Sequence, residues 1–130
     1  MSELIDATSG LSSEQAARIA DVVRTGSLVV IPTDTSYAVI CDAFHAAAIS
    51  ALRVAKNQSS MTKLPIAAAS IDTILGVARM SVVGQDLARA FWPGPLTLLT
   101  SEQPALAWNL GNADQALAVR VPAHETAQAI

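Results

Sequence analysis

Ser27-Leu28-Val29-Val30-Ile31-Pro32-Thr33-Asp34-Thr35-Ser36-Tyr37 begins with an apolar run, mostly β-branched, and ends in hydroxyls and a carboxylate. A continuous run of this kind predicts a strand buried on both faces, in a central position of a mixed or parallel sheet. The polar residues then fall at the carboxyl end of that strand, where α/β sheets place ligands. Two readings of Pro32-Thr33-Asp34-Thr35 stand side by side. It is a ligand-meeting loop, or it is a strand-ending turn in which Pro fixes φ and Thr and Asp bond their own backbone.

Upstream of this stretch, Ser12 and Ser13 with Glu14-Gln15 give a capping signal, and Gly26 closes the amphipathic run Ala16, Ile19, Ala20, Val22, Val23. This predicts a first helix. Downstream, Tyr37 to Cys41 continues the sheet, and residues 45–56 carry Ala46, Ile49, Leu52 and Ala55 at helical spacing, with Arg53 and Lys56 in the last turn. A polar loop at 57–63 precedes a strand at 64–69. Ser70 caps a helix running to about Arg79, and Gly84 opens another that Trp92-Pro93-Gly94-Pro95 must stop. Strands follow at 96–100 and 116–121, and Pro122 leads into a final helix over 123–130. Strands alternating with helices predict a single α/β domain over residues 1–130, with 1–11 as a flexible lead. The last helix has no stop signal, so the domain is expected to be C-terminally incomplete.

Charged residues make up only 15% of the 130 residues and hydrophobic ones 52%, against roughly 25% charged in ordinary globular domains. A surface so poor in charge is expected to be covered in part, by a second copy or by a partner that completes the sheet. The net charge of −3 supplies no diffuse positive field for phosphate backbones, which excludes bulk nucleic-acid binding and leaves room only for a local basic site. Met1 to Gly10 lacks the cationic and apolar segments of a signal peptide, and no apolar run approaches the ~20 residues of a membrane span, so the expected location is cytoplasmic. Cys41 is the single cysteine, expected as a small buried residue, with no spacing for a structural metal. His45 and His124 lack a nucleophile or metal pattern and read as surface or helix-entry residues. Trp92 and Trp108 read as core or edge packing.

Five ordered stretches resemble the YrdC-like family, the threonylcarbamoyl-AMP synthases and their YciO-type relatives. They are Leu28 to Thr35 with Tyr37; Cys41-Asp42-Ala43; Lys56 with Leu64-Pro65-Ile66; Trp92 to Leu98; and Val119-Arg120-Val121-Pro122 with His124. The resemblance implies a twisted mixed sheet flanked by helices. It also implies a site joining L-threonine, bicarbonate and ATP, with Mg2+, into threonylcarbamoyl-AMP for a tRNA adenosine. Thr33, Thr35 and Tyr37 then line the threonine pocket. Lys56 is the catalytic point charge on a carboxylate or phosphate. Arg120 lies near substrate, or else is a strand-end arginine paired with an acid.

The chain departs from the family in three places. The Lys-x-Arg pair reads Lys56-Asn57-Gln58, which replaces a guanidinium fork with a neutral amide; Arg53 and Lys63 are the cations near enough in sequence to substitute. Tyr-Gly reads Tyr37-Ala38. The Ser-x-Asn motif for nucleotide phosphates would lie downstream of Ile130. These departures keep a second expectation open, a non-catalytic paralogue that binds double-stranded RNA, tRNA or a nucleotide.

Overall fold

The computed structural model describes residues 2–111 and 114–130. Helix α1 spans Ser13–Arg24 and starts on a reciprocal cap: Ser12 Oγ accepts from Gln15 N, and Gln15 Oε1 accepts from Ser12 N. Gly26, at φ +91°, turns the chain into strand β1 (Val29–Pro32), which pairs antiparallel with β2 (Tyr37–Ile40). Helix α2 (Ala46–Ala55) follows, capped by His45 Nδ1 accepting from Ala48 N at 3.3 Å. A short strand β3 (Ile66–Ala67) leads to α3 (Ile71–Val77), edge strand β4 (Ala78–Arg79), and α4 (Val82–Phe91). Strands β5 (Leu98–Glu102) and β6 (Ala116–Arg120) and the short helix α5 (Glu125–Ala129) finish the chain.

Among the described residues the strands form two sheets: the β1–β2 hairpin, and a four-stranded sheet in the order β3-β6-β5-β4. The larger sheet is mixed, with β3 parallel to β6 and the other pairs antiparallel. Its interior strands are β6 and β5, and in β6 Leu117 and Val119 are fully buried. Together with Val121 they join Ile49, Leu52, Leu64, Ile74 and Trp92 in one core. The domain is thus α/β with a mixed sheet and flanking helices, as the alternation of elements implies.

The central place expected for Leu28–Ile31 belongs instead to β5 and β6. Strand β1 pairs only with β2; α1 and α5 pack against it and Ile31 is buried, but Val30 on the opposite face is 63% exposed. A short β-branched run reports strand character, and it does not report whether both faces are covered. The helix boundaries near residue 80 also shift. Helix α3 stops at Val77, and α4 begins with Ser81, whose Oγ accepts from Gly84 N at 3.1 Å, so Gly84 lies in the first turn and does not start the helix. Pro122 precedes the last helix without opening it; His124 is the cap, its Nδ1 accepting from Thr126 N. Cys41 is half-buried, and burial, with a smaller contribution from Asp42, pushes its thiol pKa up.

Candidate functional site

Two strand ends meet at one place. The carboxyl end of β1 passes into the turn Thr33–Ser36, and the carboxyl end of the interior strand β6 is Arg120. Pro32 has no N–H and ends the ladder; the turn then closes on itself, with Thr33 N donating to Ser36 O at 3.0 Å. Thr33 Oγ1 donates to Ser36 O at 2.6 Å and accepts from the Thr35 and Ser36 amides at 3.3 and 3.2 Å. The strand-ending turn is therefore real, and Thr33 holds it.

Arg120 reaches across from β6 to the same turn. Its Nη2 pairs with Asp34 Oδ1, its Nη1 donates to Thr35 Oγ1 at 3.2 Å, and its Nε donates to Gly94 O at 3.0 Å. The side chains of Arg120 and Asp34 are only 18% and 14% exposed. Three partners on two segments, the Thr33–Ser36 turn and Gly94, fix the plane of the guanidinium, which is what bidentate recognition of a carboxylate or phosphate requires. The hydroxyls form a directed chain. Thr33 gives its one proton to Ser36 O, so the 3.2 Å bond between the two threonine oxygens takes its proton from Thr35.

Gly94 is the third support. Its N–H donates to Val121 O at 2.8 Å, directly after Arg120, while its carbonyl receives the guanidinium. A Cβ at this position would collide with the Phe91 carbonyl oxygen. Only glycine fits the corner that the Trp92-Pro93-Gly94-Pro95 segment makes.

Of the residues singled out by sequence, the structure brings Thr33, Thr35 and Arg120 into one hydrogen-bonded network. Tyr37 begins β2, opposite Pro32, with its ring 78% exposed. Lys56 is the C-cap of α2, exposed and outside this network. Asp34 and Gly94 complete the network and were missed as partners of Arg120, because separations of 86 and 26 residues leave no local pattern.

The cations next to the altered Lys-x-Arg position serve the fold. Arg53 is 8% exposed; its Nη1 and Nη2 donate to Asn109 O and Thr62 O at 3.3 and 3.2 Å, tying the 57–63 loop to the 109–111 segment. Lys63 Nζ pairs with Asp114 Oδ2 at 2.5 Å. Gln58 Oε1 is buried without a partner among the described residues. The tryptophans pack as expected: Trp92 donates to Leu96 O at 2.6 Å, and Trp108 stacks on Phe44 at 5.1 Å and donates to Glu102 Oε2 at 2.9 Å. Among the described residues no helix is long and apolar enough to cross a membrane.

In α/β folds, strand ends of this kind are where small ligands are held. Residues 21–130 match the model of the Sua5/YciO/YrdC family, which is described as telomere recombination. The chain belongs to this family. It is 40% identical over 106 residues to a putative threonylcarbamoyl-AMP synthase of Mycobacterium tuberculosis, covering 81% of this chain and 49% of that one. It also superposes on a doubly substituted Sua5 of Pyrococcus abyssi with a TM-score of 0.92 at 29% identity, covering 99% of this chain and 40% of that one. For Sua5 of the same species complexed with L-threonine the TM-score is 0.82 at 30% identity, over 92% of this chain and 35% of the other. The chain spans about half the length of the mycobacterial relative.

Proposed function

We propose that this chain binds L-threonine at the Thr33–Arg120 cluster and serves the formation of threonylcarbamoyl-AMP from L-threonine, bicarbonate and ATP. The observation that carries this reading is the guanidinium of Arg120, held in one plane at the strand end of a fold shared with a threonine-bound Sua5. In the reaction the threonine amine and bicarbonate give a carbamate and water, and the carbamate oxygen then attacks the α-phosphate of ATP and releases pyrophosphate. Such chemistry needs an anchored carboxylate and cations near the phosphates more than a protein nucleophile. Arg120 supplies the anchor. Lys56, exposed at the end of α2, is the side chain we assign to phosphate or carboxylate charge, with Mg2+ arriving on ATP. Tyr37 and Thr35 line the amino-acid pocket. The product would supply the threonylcarbamoyl group for tRNA modification, a cytoplasmic process.

The test is calorimetric titration of L-threonine into the folded chain, with and without ATP and Mg2+, followed by an assay for pyrophosphate release. Threonine affinity that rises with MgATP supports the synthase reading, and absence of threonine binding in either condition removes it. One observation favours a second reading, a non-catalytic paralogue that binds RNA or nucleotide: Gln58 stands at the family's arginine position, its amide oxygen buried and without a partner among the described residues. Titration with duplex RNA at two salt concentrations separates them, since phosphate binding weakens steeply as salt rises.

A further inference from the structure

The hydrogen-bonding capacity left over in the cluster defines what enters it. The Thr33 and Thr35 hydroxyl protons are both spent inside the turn, on Ser36 O and Thr33 Oγ1. Arg120 has five N–H groups; three are used, on Asp34, Thr35 and Gly94, and two remain. Asp34 Oδ1 takes Arg120, and Oδ2 has no hydrogen-bond partner among the described residues. The free valences are thus one carboxylate oxygen beside two guanidinium N–H groups. That is one acceptor of positive charge and one donor to negative charge, on a pair whose side chains are largely shielded.

A simple carboxylate on the two free N–H groups brings a second negative charge beside Asp34 with no cation to balance it. A simple amine on Oδ2 brings a second positive charge beside Arg120 in the same way. Either outcome leaves an uncompensated charge in a shielded place, which is costly. A ligand carrying both charges on one α-carbon avoids this. Its ammonium takes Asp34 Oδ2 while its carboxylate takes the free guanidinium N–H groups, so the pair stays whole and the charges stay balanced.

We propose that the Asp34–Arg120 pair is an internal salt bridge whose free groups accept only a zwitterion, making Asp34 the residue that selects a free α-amino acid over a carboxylic acid or an amine. This rests on the reading of the cluster as an amino-acid site, and it adds a role for Asp34 that the sequence motif does not assign. The pair also keeps the empty site neutral, so Arg120 is not offered as a bare cation to phosphate or to inorganic anions.

The experiment is a titration of the unsubstituted chain with L-threonine, N-acetyl-L-threonine, which lacks the ammonium, and L-threoninol, which lacks the carboxylate, alongside L-serine and L-valine. Threonine is expected to bind at least tenfold more tightly than either blocked analogue. Asp34→Asn, with its fold checked by circular dichroism, is expected to reverse the order: threonine weakens while N-acetyl-threonine strengthens, because the repelling carboxylate is gone. A purely structural Asp34 would weaken both ligands together. Equal affinity for threonine and N-acetyl-threonine overturns the proposal, whatever the variant does. Binding of serine or valine with the same two-charge requirement, but not of threonine, leaves the zwitterion rule standing and removes the threonine reading. No binding of any of the five ligands overturns both. If Asp34→Asn does not fold, the three-ligand comparison on the native chain decides the matter alone.

Discussion

Arg53 and Arg120 carry the same guanidinium into two shielded places, and the company each keeps decides what it does. Arg53 sits in the last turn of α2 with backbone carbonyls, Asn109 O and Thr62 O, as its partners, and its Nε is buried with no partner among the described residues. Arg120 sits at a strand end with a carboxylate, a hydroxyl and a carbonyl. Carbonyls fixed by the chain cannot be exchanged, so Arg53 is a tie between loops. A carboxylate on a short side chain can adjust to a ligand, so Arg120 is the one proposed as a binding group. The lesson is that a buried cation is read by the mobility of its acceptors, since burial and charge are nearly alike in the two.

The sharpest way to break the contrast is to remove each guanidinium and ask which property fails. Arg53→Ala strands two carbonyls, at about 1–3 kcal/mol each, and removes a packed aliphatic stem. We expect a loss of about 4 kcal/mol in urea unfolding, with threonine affinity of the folded fraction changed less than about threefold. Arg120→Ala should show it in binding. Losing charge-assisted hydrogen bonds of about 1.5–3 kcal/mol lowers threonine affinity by about 50-fold or more in calorimetry. Stability falls as well, because Asp34 is left unpaired in a shielded place, so affinity is the property that sets the two variants apart. If Arg53→Ala lowers threonine affinity as much as Arg120→Ala does, the distinction between tie and binding group is wrong.

This contrast was only half legible in the sequence. Helix α1 was readable because the Ser12–Gln15 cap and the apolar spacing are local, and β6 because a short apolar run between the polar connector at 109–114 and Pro122 marks a strand. The five family stretches pointed to Thr33, Thr35 and Arg120, which the fold joins. Which strand is interior was not readable: β1 and β6 are both rich in apolar residues, and only pairing partners distinguish Val30, exposed, from Val119, buried. Arg53 looked available to replace the motif arginine, because sequence shows its charge and not the Thr62 and Asn109 carbonyls that hold it. Gln58 shows the converse. Its substitution for arginine is plain in the sequence, while the burial of its amide oxygen is not.

Gly94 offers a finer probe, since it touches Arg120 without carrying charge. In Gly94→Ala the new methyl group meets the Phe91 carbonyl oxygen, so the corner must shift and with it the carbonyl that receives Arg120 Nε. We expect a stability loss of about 2 kcal/mol, in the range of other strained backbone positions, and a fall in threonine affinity of about fivefold. That fall should shrink in the Arg120→Ala background, where the shifted carbonyl has no guanidinium to misplace. Full additivity of the two changes would show that Gly94 acts on folding alone.

The weakest effect belongs to a third cation, Lys63, whose pairing with Asp114 is open to solvent: the side chains are 49% and 61% exposed. Here the partner is a carboxylate, as for Arg120, but water shields both groups. The Lys63 side-chain hydrogen bond, with a second from the Ala116 amide, holds the Asp114 pKa below its ordinary value of 3.8. A carboxylate whose pKa is lowered on folding stabilises the native state above the unfolded value, and that contribution is lost as pH falls through the folded one. Asp114→Asn should therefore melt slightly below the native chain at pH 7, and the gap should close as pH is lowered through and below 3.8. It should also shrink at 1 M salt, because exposed pairs are screened. The Arg120–Asp34 pair, shielded from solvent, should keep its contribution to threonine affinity under the same salt. A salt response as large there as at Lys63 would mean that shielding does not separate the two pairs, and that the acceptor's chemistry alone sets the role of each cation.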